Sequence, residues 1–195
     1  MNPKDRTGVV APFWGKDQLE EFAFKVHADL KYAGGPVPLD VLCEAERQRT
    51  DLQVHLAVEP TPDAVERQIL GRIDFRERQI YVYDYVQGNA GRARFTLAHE
   101  LAHYLLEHGK FLRREWCDAS DFALARSSSS YGANVARMEF QANYFAACLL
   151  LPRNNVVGDF HKLIAGLDIP NRGFGSLYVD DQPCNRLHFD IVTNH

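Results

Sequence analysis

A chain of 195 residues, 46% apolar and 25% charged, is long enough to enclose one hydrophobic core and too ordinary in composition to be disordered. Its formal net charge of -4, with 22 basic residues that gather into no stripe, argues against a surface that tracks a phosphate backbone, so direct nucleic-acid binding is not expected. No stretch reaches the roughly 18 uncharged apolar residues of a membrane span, and Met1 to Gly8 contains no apolar signal core, which predicts a cytoplasmic protein with no membrane partner.

Leu19, Phe22, Ala23, Val26 and Leu30 recur at helical spacing between Asp17 and Tyr32, and Gly34-Gly35-Pro36 stops the pattern. A second, short helix is expected from Leu39 to about Arg49, then a strand from Leu52 to Val58 that ends at Glu59-Pro60-Thr61-Pro62. Two further extended runs, Gln68 to Phe75 and Gln79 to Tyr83, flank a hairpin connection at Arg76-Glu77-Arg78, and the set predicts a small antiparallel sheet. From about Gly91 to His108 the stripe Phe95, Ala98, Leu101, Ala102 and Leu105 marks a helix that Gly109 can end. A solvated loop with Ser127 to Ser130 and Gly132 separates it from another helix, Asn134 to Leu151, which Pro152 terminates. One more helix is expected through Leu167, followed by Asp168-Ile169-Pro170 and a turn at Gly173 and Gly175. The fold class is therefore α+β, a small antiparallel sheet packed on a helix bundle. Cys43, Cys117, Cys148 and Cys184 are scattered with no C-x-x-C pair, which fits reduced thiols better than bridges or a cysteine metal site.

Inside the first long helix lies His99-Glu100-Leu101-Ala102-His103. Residues four apart are separated by roughly 400° around a helix axis, so the two imidazoles project from one face, one turn apart, where they can meet one ion. Glu100 lies beside them, where a carboxylate can act as general base toward water while zinc polarises a carbonyl. Chance placement of 8 histidines would give this pattern in roughly two or three chains per hundred, so the surroundings must decide. Ala98 and Ala102 flank the histidines with small side chains, and Leu101, Leu105 and Leu106 supply packing, as suits a helix lying close against others.

Catalytic zinc takes three protein ligands, and the third donor must come from elsewhere. Glu139 is the leading candidate, a carboxylate among small and aromatic residues in a core-like helix, where a divalent ion would offset its desolvation. The alternative is a solvated Glu paired with Arg137 or Arg126. Asn143, one turn further on the same face, is placed to orient a ligand or to bind substrate backbone, with a capping role as the alternative. His108 is roughly 500° around the helix from His103 and is expected to point away, so it is left out of the site together with His55. Tyr104, Tyr144, Arg92 and Arg94 are near the motif, but none is secured as an oxyanion donor.

The segment Arg94-Phe95-Thr96-Leu97-Ala98-His99-Glu100-Leu101-Ala102-His103-Tyr104-Leu105-Leu106, followed by Glu139-x-x-Ala142-Asn143-x-Phe145-Ala146-Ala147-x-Leu149-Leu150-x-Pro152, resembles the ImmA/IrrE-type metallopeptidases over about Ile69 to Pro152. The resemblance implies a zincin-like fold, Zn2+ held by His99, His103 and Glu139, and Glu100 as the catalytic acid/base. It divides the chain into a metallopeptidase domain over residues 1–152 and a helical or irregular extension over 153–195. It also implies a protein substrate, a separate helix-turn-helix transcriptional repressor cleaved in a regulatory or stress response, since this chain shows no helix-turn-helix of its own. Family members often continue into a further helical segment, whereas Asp190-Ile191-Val192-Thr193-Asn194-His195 breaks off within an apolar pattern, so a longer natural protein is expected. The alternative function is a non-catalytic zinc-stabilised interaction module of a regulatory or toxin-antitoxin pair.

Overall fold

The computed structural model describes residues 10–84, 90–111, 116–118, 130–167 and 169. Residue contacts divide the chain into two compact units, 1–150 and 151–195. Ser127 to Ser129, Gly173, Gly175, Cys184 and the terminal run from Asp190 lie outside the described residues. Among the described residues no helix is long and apolar enough to cross a membrane.

In the first unit, helix α1 (Lys16–Asp29) begins at Gly15, whose N–H donates to the Gln18 side chain at 2.8 Å. It buries Leu19, Ala23 and Val26 of the expected stripe, together with His27, while Phe22 and Leu30 are partly buried against the core. Helix α2 (Leu39–Thr50) ends on Asp51, whose φ of 62° turns the chain out of the helix. Strand β1 (Gln53–Val58) follows, and then a short helix α3 (Pro62–Arg67) where only a strand terminator was expected. Thr61 caps it by accepting from the Ala64 N–H, and Pro62 occupies its first turn.

Strands β2 (Gly71–Asp74) and β3 (Gln79–Tyr83) form the expected hairpin, and β4 (Trp116–Asp118) completes a sheet of order β1-β3-β2-β4. The sheet is mixed, which corrects the antiparallel expectation: β2 is antiparallel to both β3 and β4, but β1 runs parallel to β3. The tight β2–β3 turn fixes those two strands antiparallel. The longer path through α3 lets the chain skip one strand position, so that β3 returns beside β1 in the same direction.

Helix α4 (Ala90–Leu105) packs on β2 and β3 on one side and on helix α5 (Ser130–Leu150) on the other, while α1 covers α5. The core joins Ile73, Ile80 and Val82 of the sheet to Leu97 and Leu101 of α4 and to Met138, Phe145 and Leu149 of α5. Each such large apolar side chain contributes about 1.5–3 kcal/mol on burial. Cys43 and Cys148 are free thiols, and burial pushes the Cys43 thiol up to about 11, away from reactivity. In the second unit, helix α6 (Arg153–Gly166) starts directly after Pro152, whose carbonyl accepts the Val156 N–H.

Candidate metal centre

The site is built where α4 and α5 come together. Ala98 and Ala102 on α4 and Ala142 and Ala146 on α5 are all fully buried, and side chains this small let the two backbones approach closely. His99, Glu100 and His103 ride on α4, and Glu139 and Asn143 on α5. His99 Nε2 lies 3.4 Å from Glu139 Oε2, His103 Nε2 lies 3.3 Å from Glu139 Oε1, and the two Nε2 atoms are 3.1 Å apart. Ligand atoms placed about 2.0–2.1 Å from a tetrahedral zinc stand about 3.3–3.4 Å from one another. Three donors of the right chemistry are thus held at the spacing such an ion needs, and the cluster is compatible with metal binding.

These groups also set one another's charge. Burial works against protonation of His99, but its hydrogen bond to Glu139, the charges of Glu100 and Glu139 and the Asn143 side chain together hold it above the usual imidazole range. Burial likewise works against ionisation of Glu139, yet His103 and His99 prevail and hold the carboxyl well below the usual carboxylate range. Without a metal, the site therefore favours a Glu139 carboxylate facing a His99 imidazole that attracts a proton. A divalent cation can take the proton's place.

Glu100 is 4% exposed and sits against strand β2. Gly71 supplies the room, since a Cβ there would stand 2.9 Å from Glu100 Oε1 and 2.6 Å from Thr96 Cγ2. Asn143 Oδ1 lies 3.1 Å from His99 Nδ1, which places it behind a candidate ligand. Tyr144 donates to Glu20 at 2.7 Å and Arg94 to the Val37 carbonyl at 2.7 Å, so both are engaged elsewhere. His55 stacks on Tyr81 in the sheet, with ring centroids 4.9 Å apart.

The expectation that His108 points away is wrong. α4 stops at Leu105, and Glu107, with φ of 56°, turns the chain into a 3-10 turn (His108–Lys110) that brings His108 back to 3.0 Å from His103, Nδ1 to Nδ1. The rotation argument fails because it extends the helix one residue group too far. Gly109 belongs to the same turn: a Cβ at that position would lie 2.5 Å from Phe75 Cγ, so the turn packs tightly under the β2–β3 hairpin. Burial and the neighbouring His103 push the His108 imidazole down to about 3.

Two large cavities lie elsewhere. One of about 620 Å3 is bounded by α2, β1 and the first half of α4, another of about 900 Å3 by α1, α2 and the end of α4, and neither is lined by His99, His103 or Glu139.

Residues 72–163 match the peptidase family model described as the IrrE N-terminal-like domain, a span that takes in His99, Glu100, His103, His108, Glu139 and Asn143. Among solved structures, a Mycobacterium tuberculosis transcriptional regulator is similar, with a TM-score of 0.50 and 23% identity over 77% of this chain. The match covers 41% of that regulator, and at this identity the likeness is one of fold. No curated protein matches the chain.

Proposed function

Given that the chain belongs to the ImmA/IrrE-type metallopeptidase family, we propose that it is a zinc-dependent endopeptidase of zincin-like design acting on a protein target, a separate helix-turn-helix repressor in a regulatory or stress response. His99, His103 and Glu139 would hold the metal. The observation that carries this reading is the 3.1–3.4 Å spacing of their donor atoms, which suits a tetrahedral ion. Bound zinc supplies a Lewis acid that activates water and polarises the scissile carbonyl.

The remaining work falls to the protein's own groups. Glu100, buried beside Gly71 of β2, takes a proton from the attacking water onto its carboxylate and returns it to the departing amine nitrogen. Its low exposure keeps that proton from bulk solvent. Asn143 holds the His99 ring through Nδ1, which supports the orienting role expected for it beside contact with substrate backbone. A regulatory setting is in keeping with the transcriptional regulator that shares the fold.

Metal analysis and cleavage assays test the reading together. The wild-type protein should carry one zinc and cut a helix-turn-helix protein encoded beside its gene. Glu139→Ala should lose the zinc, whereas Glu100→Gln should keep it and lose cleavage by on the order of 100-fold or more. Stoichiometric zinc in Glu139→Ala would sink the ligand set, and undiminished cleavage by Glu100→Gln would sink the peptidase mechanism in favour of a non-catalytic zinc module.

A further inference from the structure

His108 and Gln141 belong to no ligand set, yet each is only 1% exposed, and together they form an unbroken chain from His103 to the backbone of the N-terminal segment. His103 Nδ1 is 3.0 Å from His108 Nδ1, His108 Nε2 is 3.1 Å from Gln141 Oε1, and Gln141 Nε2 donates to the Pro12 carbonyl at 2.9 Å. The direction of every bond follows from the far end. A backbone carbonyl only accepts, so Gln141 turns its amino group to Pro12 and its oxygen to His108. That oxygen also only accepts, so His108 carries its hydrogen on Nε2.

Among the described residues the direct hydrogen-bond partners of His108 are a neutral carboxamide and an imidazole. A ligating His103 must leave Nε2 bare for the metal, so its hydrogen sits on Nδ1, and the 3.0 Å contact makes His108 Nδ1 the acceptor. The hydrogen shared between the two rings therefore belongs to His103 Nδ1, and His103 presents its lone pair at Nε2. That atom is the one 3.3 Å from Glu139 and 3.1 Å from His99 Nε2.

We propose that His108, backed by Gln141 and the Pro12 carbonyl, is the positioning residue of the metal centre, fixing the His103 tautomer and ring so that Nε2 faces the metal. The proposal rests on the ligand set put forward above. Its physical basis is that a ligating imidazole is oriented by the acceptor on its other nitrogen, whose loss typically weakens metal affinity about 10–100-fold. Among the described residues the Nδ1 of His99 meets Asn143, and His99 is 18% exposed, whereas His108 and Gln141, which support His103, are each 1% exposed. The last link is itself pinned: the Ala11 N–H donates to Asn134 Oδ1 at 2.7 Å and Arg137 donates to the Ala11 carbonyl at 3.0 Å. The N-terminal segment is thus part of the apparatus that aims His103.

The test measures zinc affinity by competition with a chromophoric chelator, together with the visible spectrum of the cobalt-substituted protein, in full-length His108→Leu, His108→Asn and Gln141→Leu. His108→Leu and Gln141→Leu should bind zinc about 10–100-fold more weakly and shift the cobalt spectrum. His108→Asn, which offers an oxygen to His103 Nδ1, should restore much of the affinity. Unchanged zinc affinity and cobalt spectrum in folded His108→Leu would overturn the proposal. If that variant does not fold, the same result in Gln141→Leu would overturn it. Glu139→Ala, run in parallel, separates the two readings: zinc retained there sinks the ligand set, whereas zinc lost there but unaffected by His108→Leu sinks only the positioning role.

Discussion

Replacing Gly71 by alanine probes how strand β2 and the motif helix fit together. The added Cβ would sit 2.6 Å from Thr96 Cγ2, 2.9 Å from Glu100 Oε1 and 3.2 Å from Glu100 Cγ, all inside ordinary van der Waals contact. β2 cannot easily retreat, because it is paired on both sides, and α4 is backed by α5. The side chains must therefore give way. Thr96 is β-branched and its hydroxyl is bonded to the Arg92 carbonyl at 3.0 Å, so it has little freedom. Overpacking of this kind costs about 1–3 kcal/mol, or about 2–12 °C in Tm for a chain of this length. Glu100 is the softer neighbour, and moving its carboxyl by about 1 Å should lower activity on the order of 100-fold. The atoms struck belong to Thr96 and Glu100, so zinc content should be unchanged. Denaturation, metal analysis and cleavage rates on Gly71→Ala, Thr96→Ser and the double variant resolve these effects. Thr96→Ser removes the nearest methyl, and the pair should couple by about 0.5–3 kcal/mol, restoring stability while activity stays low. A Gly71→Ala protein as stable and as active as wild type would refute the packing argument, and loss of zinc would refute its locality.

The pH dependence of the metal-free protein follows from the site's opposed charges. The folded state raises His99 above its ordinary 6.5, so that stabilisation is fully present below about pH 6.5 and disappears as pH rises through the raised value. It lowers Glu139 below its ordinary 4.5, so that contribution is present above about pH 4.5 and is lost as pH falls through the lowered value. Thermal melts of chelated protein should therefore show the site's support at its greatest between about pH 4.5 and 6.5, and zinc affinity should fall as pH drops through the raised His99 value because the metal needs a neutral imidazole. Zinc affinity flat from pH 8 to 5 would contradict this. Gly109→Ala, whose Cβ would meet three Phe75 carbons at 2.5–2.9 Å, should cost about 1–3 kcal/mol in denaturation and also weaken zinc binding through the adjoining His108.

Periodicity located the long helices well because each buries one continuous stripe, and it put His99 and His103 on a helix that the structure contains. The partner helix could be read the same way, and the carboxylate at Glu139 stood out because its neighbours are apolar. Strand direction was beyond that method: alternation reports which face is buried, and β1 alternates no differently for lying parallel to β3. β4 spans three residues, too few for any period to register. α3 was legible but missed, since Thr61-Pro62 is a helix start as well as a strand stop. His108 escaped because its position depends on one left-handed residue, Glu107, whose type gives no warning of that conformation.

The contacts of α1 bear on which stretch of chain can fold independently. The family match begins at residue 72, yet Phe22 packs on Phe145 with ring centroids 5.2 Å apart, His27 bonds the Leu149 carbonyl at 2.8 Å, and β1 pairs with β3 from outside the matched span. A fragment cut to residues 72–163 would bare Phe145 and Leu149 to water at about 1.5–3 kcal/mol each, against a total domain stability of only about 5–15 kcal/mol. It would also lack the Pro12 carbonyl. The matched stretch holds His99, Glu100, His103 and Glu139, but the contacts that support them reach back at least to Ala11, and excision at the boundary of the match would remove part of their scaffold.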